Sequence, residues 1–181
     1  MWISPDTDYG TFELDEVYWF IRWKERTKTR ENTYIMTMIS REPRQIIGFA
    51  VDSSIKSKTL QSMVDGVLTA ERYCTDGCPV YLDVIFGGKH IRNIHDKKDT
   101  HNIESTNADL RDYISGLARC SRCFYRKTET LIAVLGVFIN AYNKFGHAKL
   151  KYRVPVKHKS PFPNKHLHKY RDTPFCLLDF L

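Results

Sequence analysis

Alternating apolar and polar residues predict a series of β-strands in the first third of the chain. Residues 11–21 are rich in Phe, Val, Tyr and Trp, which are typical strand residues. A polar, basic stretch over residues 24–32 then predicts a loop. Two β-rich runs follow at residues 33–40 and 45–51, and the turn residues between them predict an antiparallel pair.

A helical spacing of apolar residues begins after these strands. The apolar stripe recurs at i, i+3, i+4, i+7 and i+8, and its members are Leu60, Met63, Val64, Val67 and Leu68. Ser57 is placed to cap this helix at its N-terminus. A short strand is predicted directly before Asp76, where a turn begins, and another over residues 89–93.

Two further helices are predicted in the second half of the chain. The first begins near Ile103, and its apolar face comprises Ile103, Leu110, Ile114 and Leu117. The second is more apolar, covers residues 128–143 and is expected to end at Gly146. Beyond it the chain contains four prolines and little periodicity. We therefore predict a folded domain over residues 1–146 and an extended, basic, Pro-containing tail over residues 147–181.

The order of the predicted elements favours an α/β domain with a mixed five-stranded sheet. Three consecutive strands are expected to form an antiparallel meander, and the later strands alternate with helices that would flank the sheet. The composition agrees, because 42% apolar and 27% charged residues exclude a disordered or collagen-like chain.

The net charge of +7 belongs to one part of the chain. Residues 130–171 contain nine Lys or Arg and no acidic residue, whereas the preceding residues are balanced. Such an excess indicates a polyanionic partner, either nucleic acid or an anionic membrane surface. Basic side chains of this kind, among them Lys149, Lys151 and Arg153, bind phosphates without reading sequence.

Nothing in the sequence predicts entry into a membrane. The longest apolar run, residues 131–139, is well short of the ~20 residues that a span needs, and no signal peptide is visible. Five cysteines form no evident disulfide framework, which favours a cytoplasmic location. A zinc site is an alternative for four of the cysteines, Cys74, Cys78, Cys120 and Cys123. Free thiols are favoured, because the first pair, Cys74 and Cys78, has the wrong spacing for a zinc ribbon.

Three carboxylates stand out by their context in the chain. Asp15 lies in an apolar strand, Asp76 opens a turn after a strand, and Glu104 begins an amphipathic helix. Helical spacing puts Asn107 and Arg111 on the same edge of the helix as Glu104. If the three acids converge, their repulsion requires cations, and hard oxygen ligands suit Mg²⁺ or Mn²⁺. From patterns alone, solvated surface acids remain the alternative.

Three stretches around these acids resemble the acidic motifs of a transposase family. Residues 13–16 read E-L-D-E, residues 75–81 read T-D-G-C-P-V-Y, and residues 103–111 read I-E-S-T-N-A-D-L-R. In this order they resemble the motifs of DDE transposases of the insertion-sequence-one type. A basic segment over residues 117–127 and a helix over residues 138–143 are also similar to that family, so the resemblance covers residues 11–144.

The resemblance implies a ribonuclease-H-like catalytic domain of a DNA transposase. Its catalytic, metal-binding residues would be Asp15, Asp76 and Glu104, which would hold two Mg²⁺ or Mn²⁺ ions. The reactions would be phosphodiester hydrolysis at transposon ends and strand transfer into target DNA. The family also implies a homo-oligomer on DNA. The residues predicted to bind DNA are Asn107, Arg111, Arg119, Arg122, Arg126, Lys127, Lys149, Lys151 and Arg153.

The sequence departs from the family at its N-terminus. Relatives usually carry a zinc-finger and helix-turn-helix region before the catalytic strand, whereas only about ten residues precede it here. We therefore expect a separately encoded recognition protein as a partner. The alternatives are a truncated DNA-binding remnant without productive activity, or a different ribonuclease-H-like nuclease that acts on RNA or branched DNA.

Overall fold

A computed structural model describes residues 10–24, 29–42, 44–94, 99–117 and 125–151. Its secondary-structure elements follow the predicted order. The strands are β1 (Thr11–Lys24), β2 (Thr29–Ser40), β3 (Gln45–Asp52), β4 (Arg72–Asp76) and β5 (Lys89–Asn93). The α-helices are α1 (Ser57–Asp65), α2 (His101–Tyr113) and α3 (Thr128–Lys151), with 3₁₀ turns over Pro79–Asp83 and Ser115–Leu117.

The strands form one mixed sheet in the order β3-β2-β1-β4-β5. β1, β2 and β3 pair in antiparallel fashion, as the predicted meander requires. β4 then pairs with β1 in parallel, and β5 pairs with β4 in parallel. The predicted five-stranded α/β fold is therefore confirmed, and its arrangement is ribonuclease-H-like.

The alternation of side chains along β1 assigns a different layer to each face of the sheet. Phe12 and Leu14 pack on one face in a buried cluster that includes Leu60 of α1 and Tyr81 of the first 3₁₀ turn. Burying each large apolar side chain contributes about 1.5–3 kcal/mol. The residues between them, beginning with Glu13, face α2 on the other side of the sheet. The central strand therefore lies between two layers.

The predicted loop over residues 24–32 is wrong at both ends. β1 continues to Lys24, and β2 begins at Thr29. The antiparallel register joins Phe20 to Asn32 and Lys24 to Thr29. Pairing with a neighbouring strand supplies the backbone hydrogen bonds of these polar residues, so the partner outweighs their composition.

The N-terminus of α1 also differs from its prediction. Lys56, and not Ser57, occupies the N-cap position, and its side chain makes no capping hydrogen bond. Asp52 supplies the negative charge that favours a helix N-terminus. Its carboxylate accepts hydrogen bonds from Lys56 Nζ at 2.7 Å and from Thr59 Oγ1 at 3.2 Å. The helix ends at Asp65, before the last part of the predicted apolar stripe, and Leu68 is 50% exposed.

The predicted end of the last helix at Gly146 is wrong. α3 continues through this glycine to Lys151, so residues 147–151 are helical and not extended. One glycine costs a helix only about 1 kcal/mol relative to alanine, which is too little to stop it. The backbone divides into two compact units between Leu135 and Gly136. A domain boundary at residue 146 stays a prediction, and residues 152–181 lie outside the described part of the chain.

Close backbone approach at the start of β5 requires a glycine. A Cβ atom at Gly88 would lie 2.1 Å from the carbonyl oxygen of Ala70 and 2.6 Å from that of Glu71. The amide of Lys89 donates to the same Glu71 carbonyl at 2.8 Å. Glycine therefore lets β5 begin directly against the chain that leads into β4.

Among the helices of the described residues, none combines the length and the apolar character that a membrane span requires.

Candidate active site

The parallel pairing of β1 and β4 brings two of the predicted acids together. Glu13 pairs with Cys74 in this ladder, so the same register places Asp15 beside Asp76 at the end of β4. One carboxylate oxygen from each of Asp15, Glu16 and Asp76 lies within 4.8 Å of the other two. Two acids predicted from the sequence therefore meet, and Glu16 joins them.

Sequence reasoning missed Glu16 as a site residue. It follows Asp15 directly in β1, and its Oε1 accepts a hydrogen bond of 2.5 Å from the hydroxyl of Tyr81. Tyr81 is fully buried, and its pKa lies well above the usual range, chiefly because of burial and also because of the Glu16 carboxylate. Tyr81 therefore keeps its proton and remains a donor. The sequence did contain a signal for Glu16. It lies on the same strand face as the apolar residues Phe12 and Leu14, where burial of a charged side chain is costly unless the charge has a partner.

Burial and mutual repulsion raise the pKa values of the clustered acids. Burial is the largest cause of the raised pKa of Asp15, and the charges of Asp76 and Glu104 raise it further. The pKa of Glu16 rises to about 7, again mainly through burial, although the hydrogen bond from Tyr81 lowers it. A divalent cation would compensate both causes, since it neutralises the clustered charge. The set of hard oxygen donors fits Mg²⁺ or Mn²⁺.

The pKa of Glu16 predicts that the metal-free protein loses stability as the pH rises. The folded protein holds this proton up to about pH 7, whereas an unperturbed glutamate releases it near 4.5. The free energy of unfolding is thus expected to be highest below this window and to fall by up to about 3 kcal/mol across it. Urea unfolding in EDTA over this pH range measures the change.

Glu16→Gln is the matched variant for this measurement, because glutamine keeps an oxygen acceptor for Tyr81 and has no titrating proton. Its free energy of unfolding should change much less across the same pH range. A decline as steep as that of the wild type would show that other groups cause the pH dependence.

Glu104 lies in the first turn of α2 and is half-buried. Its charge acts on Asp15, as the raised pKa of Asp15 records. It is not part of the compact group of ligand atoms that Asp15, Glu16 and Asp76 form among the described residues. The structure thus places Glu104 on α2, the helix whose Asn107 contacts Asp15, and outside this compact group.

Asn107 is a buried residue of α2. Its side chain is 1% exposed and bridges two strands. The amide Nδ2 donates to Asp15 Oδ2 at 2.9 Å, and the amide oxygen accepts from Thr37 Oγ1 at 2.8 Å. Asn107 therefore contacts a carboxylate of the site, and its predicted contact with DNA stays a prediction.

Glu13 is a buried acid with a structural role. It is fully buried, and its carboxylate accepts from Arg41 Nε at 2.9 Å, Asn102 Nδ2 at 2.8 Å and the backbone amide of Ile103 at 2.9 Å. These donors satisfy the charge and attach the first turn of α2 to β1. Glu13 and Asp15 face the same layer, but only Asp15 lies in the acidic cluster.

Local hydrogen bonds fix the turn that follows Asp76. Asp76 Oδ1 accepts from the backbone amide of Cys78 at 2.8 Å, as in an Asx turn. The guanidinium of Arg92 in β5 donates to the carbonyl of Gly77.

Cys74 and Cys78 are free thiols. Cys120 and Cys123, the other residues of the zinc alternative, lie outside the described residues.

The residues predicted to bind DNA differ in how far the structure describes them. Arg126 and Lys127 are exposed directly before α3, and Arg111 is half-buried near the end of α2. Lys149 and Lys151 belong to the last turns of α3, whose backbone alone is described. Arg119, Arg122 and Arg153 lie outside the described residues. DNA binding by these side chains stays a prediction.

Comparison with known proteins identifies the family. The family model for IS1 transposase matches residues 11–145, about three quarters of the chain. This match supports a transposase function and includes all three acidic motifs. No curated protein matches the sequence significantly. On the extent of the family match, the chain belongs to the IS1 transposase family.

Proposed function

We propose that the domain catalyses DNA transposition by metal-dependent phosphodiester chemistry. It would hydrolyse phosphodiesters at transposon ends and then transfer the freed strand ends into target DNA. The observation that carries this proposal is the meeting of Asp15, Glu16 and Asp76 within 4.8 Å, where two parallel strands lie side by side. Family membership independently supports a transposase function.

The proposed ligands for two Mg²⁺ or Mn²⁺ ions are Asp15, Asp76 and Glu104. When bound, two such ions neutralise charge on the attacking and leaving oxygens of a phosphodiester. The protein contributes the arrangement of the carboxylates: β1 and β4 pair up to Glu13 and Cys74, two residues before Asp15 and Asp76, and α2 carries Glu104. Tyr81 holds the additional carboxylate of Glu16 beside them.

Binding of the DNA backbone is assigned to basic residues outside the acidic cluster. Arg126 and Lys127 are exposed, and Arg111 lies seven residues after Glu104, almost two turns along α2. Guanidinium and ammonium groups neutralise phosphates and position them without reading bases. The proposed partners are transposon-end and target DNA, a second copy of this chain, and a separately encoded recognition protein.

The purified chain is expected to nick DNA at the ends of the element that encodes it. The duplex substrate carries that end sequence, and gel analysis of labelled strands detects both nicks and joined products. Mg²⁺ or Mn²⁺ should support both reactions, whereas EDTA should abolish them. Reactions with and without the expected recognition protein show whether end selection needs that partner.

Two results of this assay would reject the proposal in favour of another function. Faster cleavage of an RNA–DNA hybrid or of branched DNA than of transposon ends would identify a different ribonuclease-H-like nuclease. Binding of the end DNA without cleavage, with either metal and with the recognition protein present, would identify a non-productive remnant.

A further inference from the structure

A buried series of two hydrogen bonds connects β2 to the acidic cluster through Asn107 of α2. Thr37 Oγ1 donates to Asn107 Oδ1 at 2.8 Å, and Asn107 Nδ2 donates to Asp15 Oδ2 at 2.9 Å. Thr37 is fully buried and Asn107 nearly so. The series therefore joins three separate elements at one oxygen of Asp15.

The partners of the Asn107 amide determine its orientation. If the amide were rotated by half a turn, its oxygen would face the Asp15 carboxylate, and two acceptors would be in contact. In the observed orientation each polar atom of the contact meets a complementary one. The Thr37 hydroxyl, which also lies 3.3 Å from the backbone carbonyl of Asp15, makes its shorter contact with the amide. The Asp15 carboxylate, which can only accept, thus selects the amide orientation, and Thr37 supports this orientation by donating to the amide oxygen.

The position of Asn107 on α2 connects this contact with Glu104. Asn107 lies between Ile103 and Leu110 on the buried face of the helix, where an amide is costly unless it is fully hydrogen-bonded. It also lies three residues after Glu104, about one turn along the helix. A bond from Asn107 to Asp15 consequently fixes the distance between the strand and the turn that carries Glu104.

We propose that Asn107 is a positioning residue that orients the Asp15 carboxylate for divalent metal binding, and that Thr37 supports the donating orientation of the Asn107 amide by donating to its oxygen. This inference rests on the proposed function for its metal site. A carboxylate held at one oxygen cannot rotate freely, so it presents a defined face toward Asp76. Groups that orient ligands in this way commonly change metal affinity 10–100-fold, roughly, when they are removed.

The test is Mn²⁺ binding to the full chain without DNA, measured from the free Mn²⁺ signal in electron paramagnetic resonance. Asn107→Leu removes the donor, and its dissociation constant for Mn²⁺ should rise about tenfold or more. Thr37→Val, which keeps the shape of threonine, should cause a smaller rise in the same direction. Thr37→Ser retains the hydroxyl and should bind Mn²⁺ more tightly than Thr37→Val.

The matched control is Thr106→Val on the same helix. Thr106 is buried and its hydroxyl donates to the carbonyl of Asn102, but it makes no contact with a carboxylate of the cluster. Its loss should lower the melting temperature and leave Mn²⁺ affinity unchanged. The increase in melting temperature on adding Mn²⁺ should be smaller in Asn107→Leu than in wild type or Thr106→Val, which a purely structural role of Asn107 does not predict.

Several results would overturn the inference. These are Mn²⁺ affinity in Asn107→Leu equal to that of the wild type, an equal loss in Thr106→Val, or no Mn²⁺ binding by the wild type. If Asn107→Leu does not fold, Thr37→Val becomes the deciding variant. A dissociation constant for Mn²⁺ equal to that of the wild type would then overturn the proposed role of these hydrogen bonds. Metal binding that depends on Asn107 in a protein that does not cleave DNA would instead reject the proposed function and leave this inference intact.

Discussion

Asp76→Asn is expected to lower metal-dependent DNA cleavage by about a thousandfold or more, because a lost metal ligand removes several kcal/mol of transition-state stabilisation. Asparagine keeps an oxygen that can accept from the Cys78 amide, so the turn after β4 should persist. The variant should therefore fold like the wild type, which circular dichroism and thermal unfolding check. The activity is measured as the rate of nicking at transposon ends under single-turnover conditions.

Asp83→Asn is the matched control for this experiment. Asp83 lies seven residues after Asp76 and is exposed at the end of the 3₁₀ turn. Its replacement removes the same charge from the same region, and activity should stay within a few fold of the wild type because exposed groups contribute little. Undiminished cleavage by Asp76→Asn would reject the proposed catalytic site. An equal loss in both variants would attribute the effect to net charge.

Glu13→Ala is expected to destabilise the protein by about 3–5 kcal/mol, because it removes a fully buried carboxylate that three donors share, one of them the partly buried Arg41. Arg41 would lose its carboxylate at 2.9 Å, and the amides of Asn102 and Ile103 would lose their acceptor. The start of α2 would then no longer be attached to β1. Urea unfolding followed by circular dichroism gives the change in the free energy of unfolding.

The control for this prediction is Glu42→Ala, whose side chain is exposed. It should change the free energy of unfolding by less than about 0.5 kcal/mol, as substitutions at the surface usually do. A double variant that replaces Glu13 with leucine and Arg41 with methionine should recover part of the loss, because both charges are then removed. A loss at Glu13→Ala as small as that at Glu42→Ala would show that the buried pair contributes little.

The strands and the two predicted acids on them follow from local patterns. Alternation and β-branched or aromatic content are properties of consecutive residues, so β3 and β5 could be predicted nearly to their ends. The end of β1 and the bounds of β2 and α3 could not. The start of β2 depends on pairing with β1, and the extent of α3 depends on a glycine penalty that is small beside the helix as a whole.

The candidate site shows the same division. Helical spacing placed Asn107 on the edge of α2 that also carries Glu104, but spacing along a helix does not reveal what the edge faces. Asn107 faces Asp15 and Thr37, which are 92 and 70 residues away in the chain. Its side chain therefore contacts a carboxylate of the protein, and the predicted contact with DNA stays a prediction.

Glu16 required still more of the tertiary structure. Neighbouring residues of a strand point to opposite faces, so an acid beside Asp15 is not expected to share its site. The 3₁₀ turn brings Tyr81 to Glu16 from 65 residues away, and Asp76 at the end of β4 lies close to Asp15 and Glu16. No pattern of neighbouring residues in the sequence predicts that these side chains converge at the end of β4.

The sequence by itself determined the order of the elements, the mixed α/β class, the three acidic motifs and the family. These depend on residue types and on spacings within single elements. Only the tertiary structure decided which carboxylates meet at one site and which one, Glu13, is neutralised inside the fold. The physical reason is that charge, burial and hydrogen bonding depend on distances in space, and strand pairing and helix packing set those distances between residues far apart in the chain.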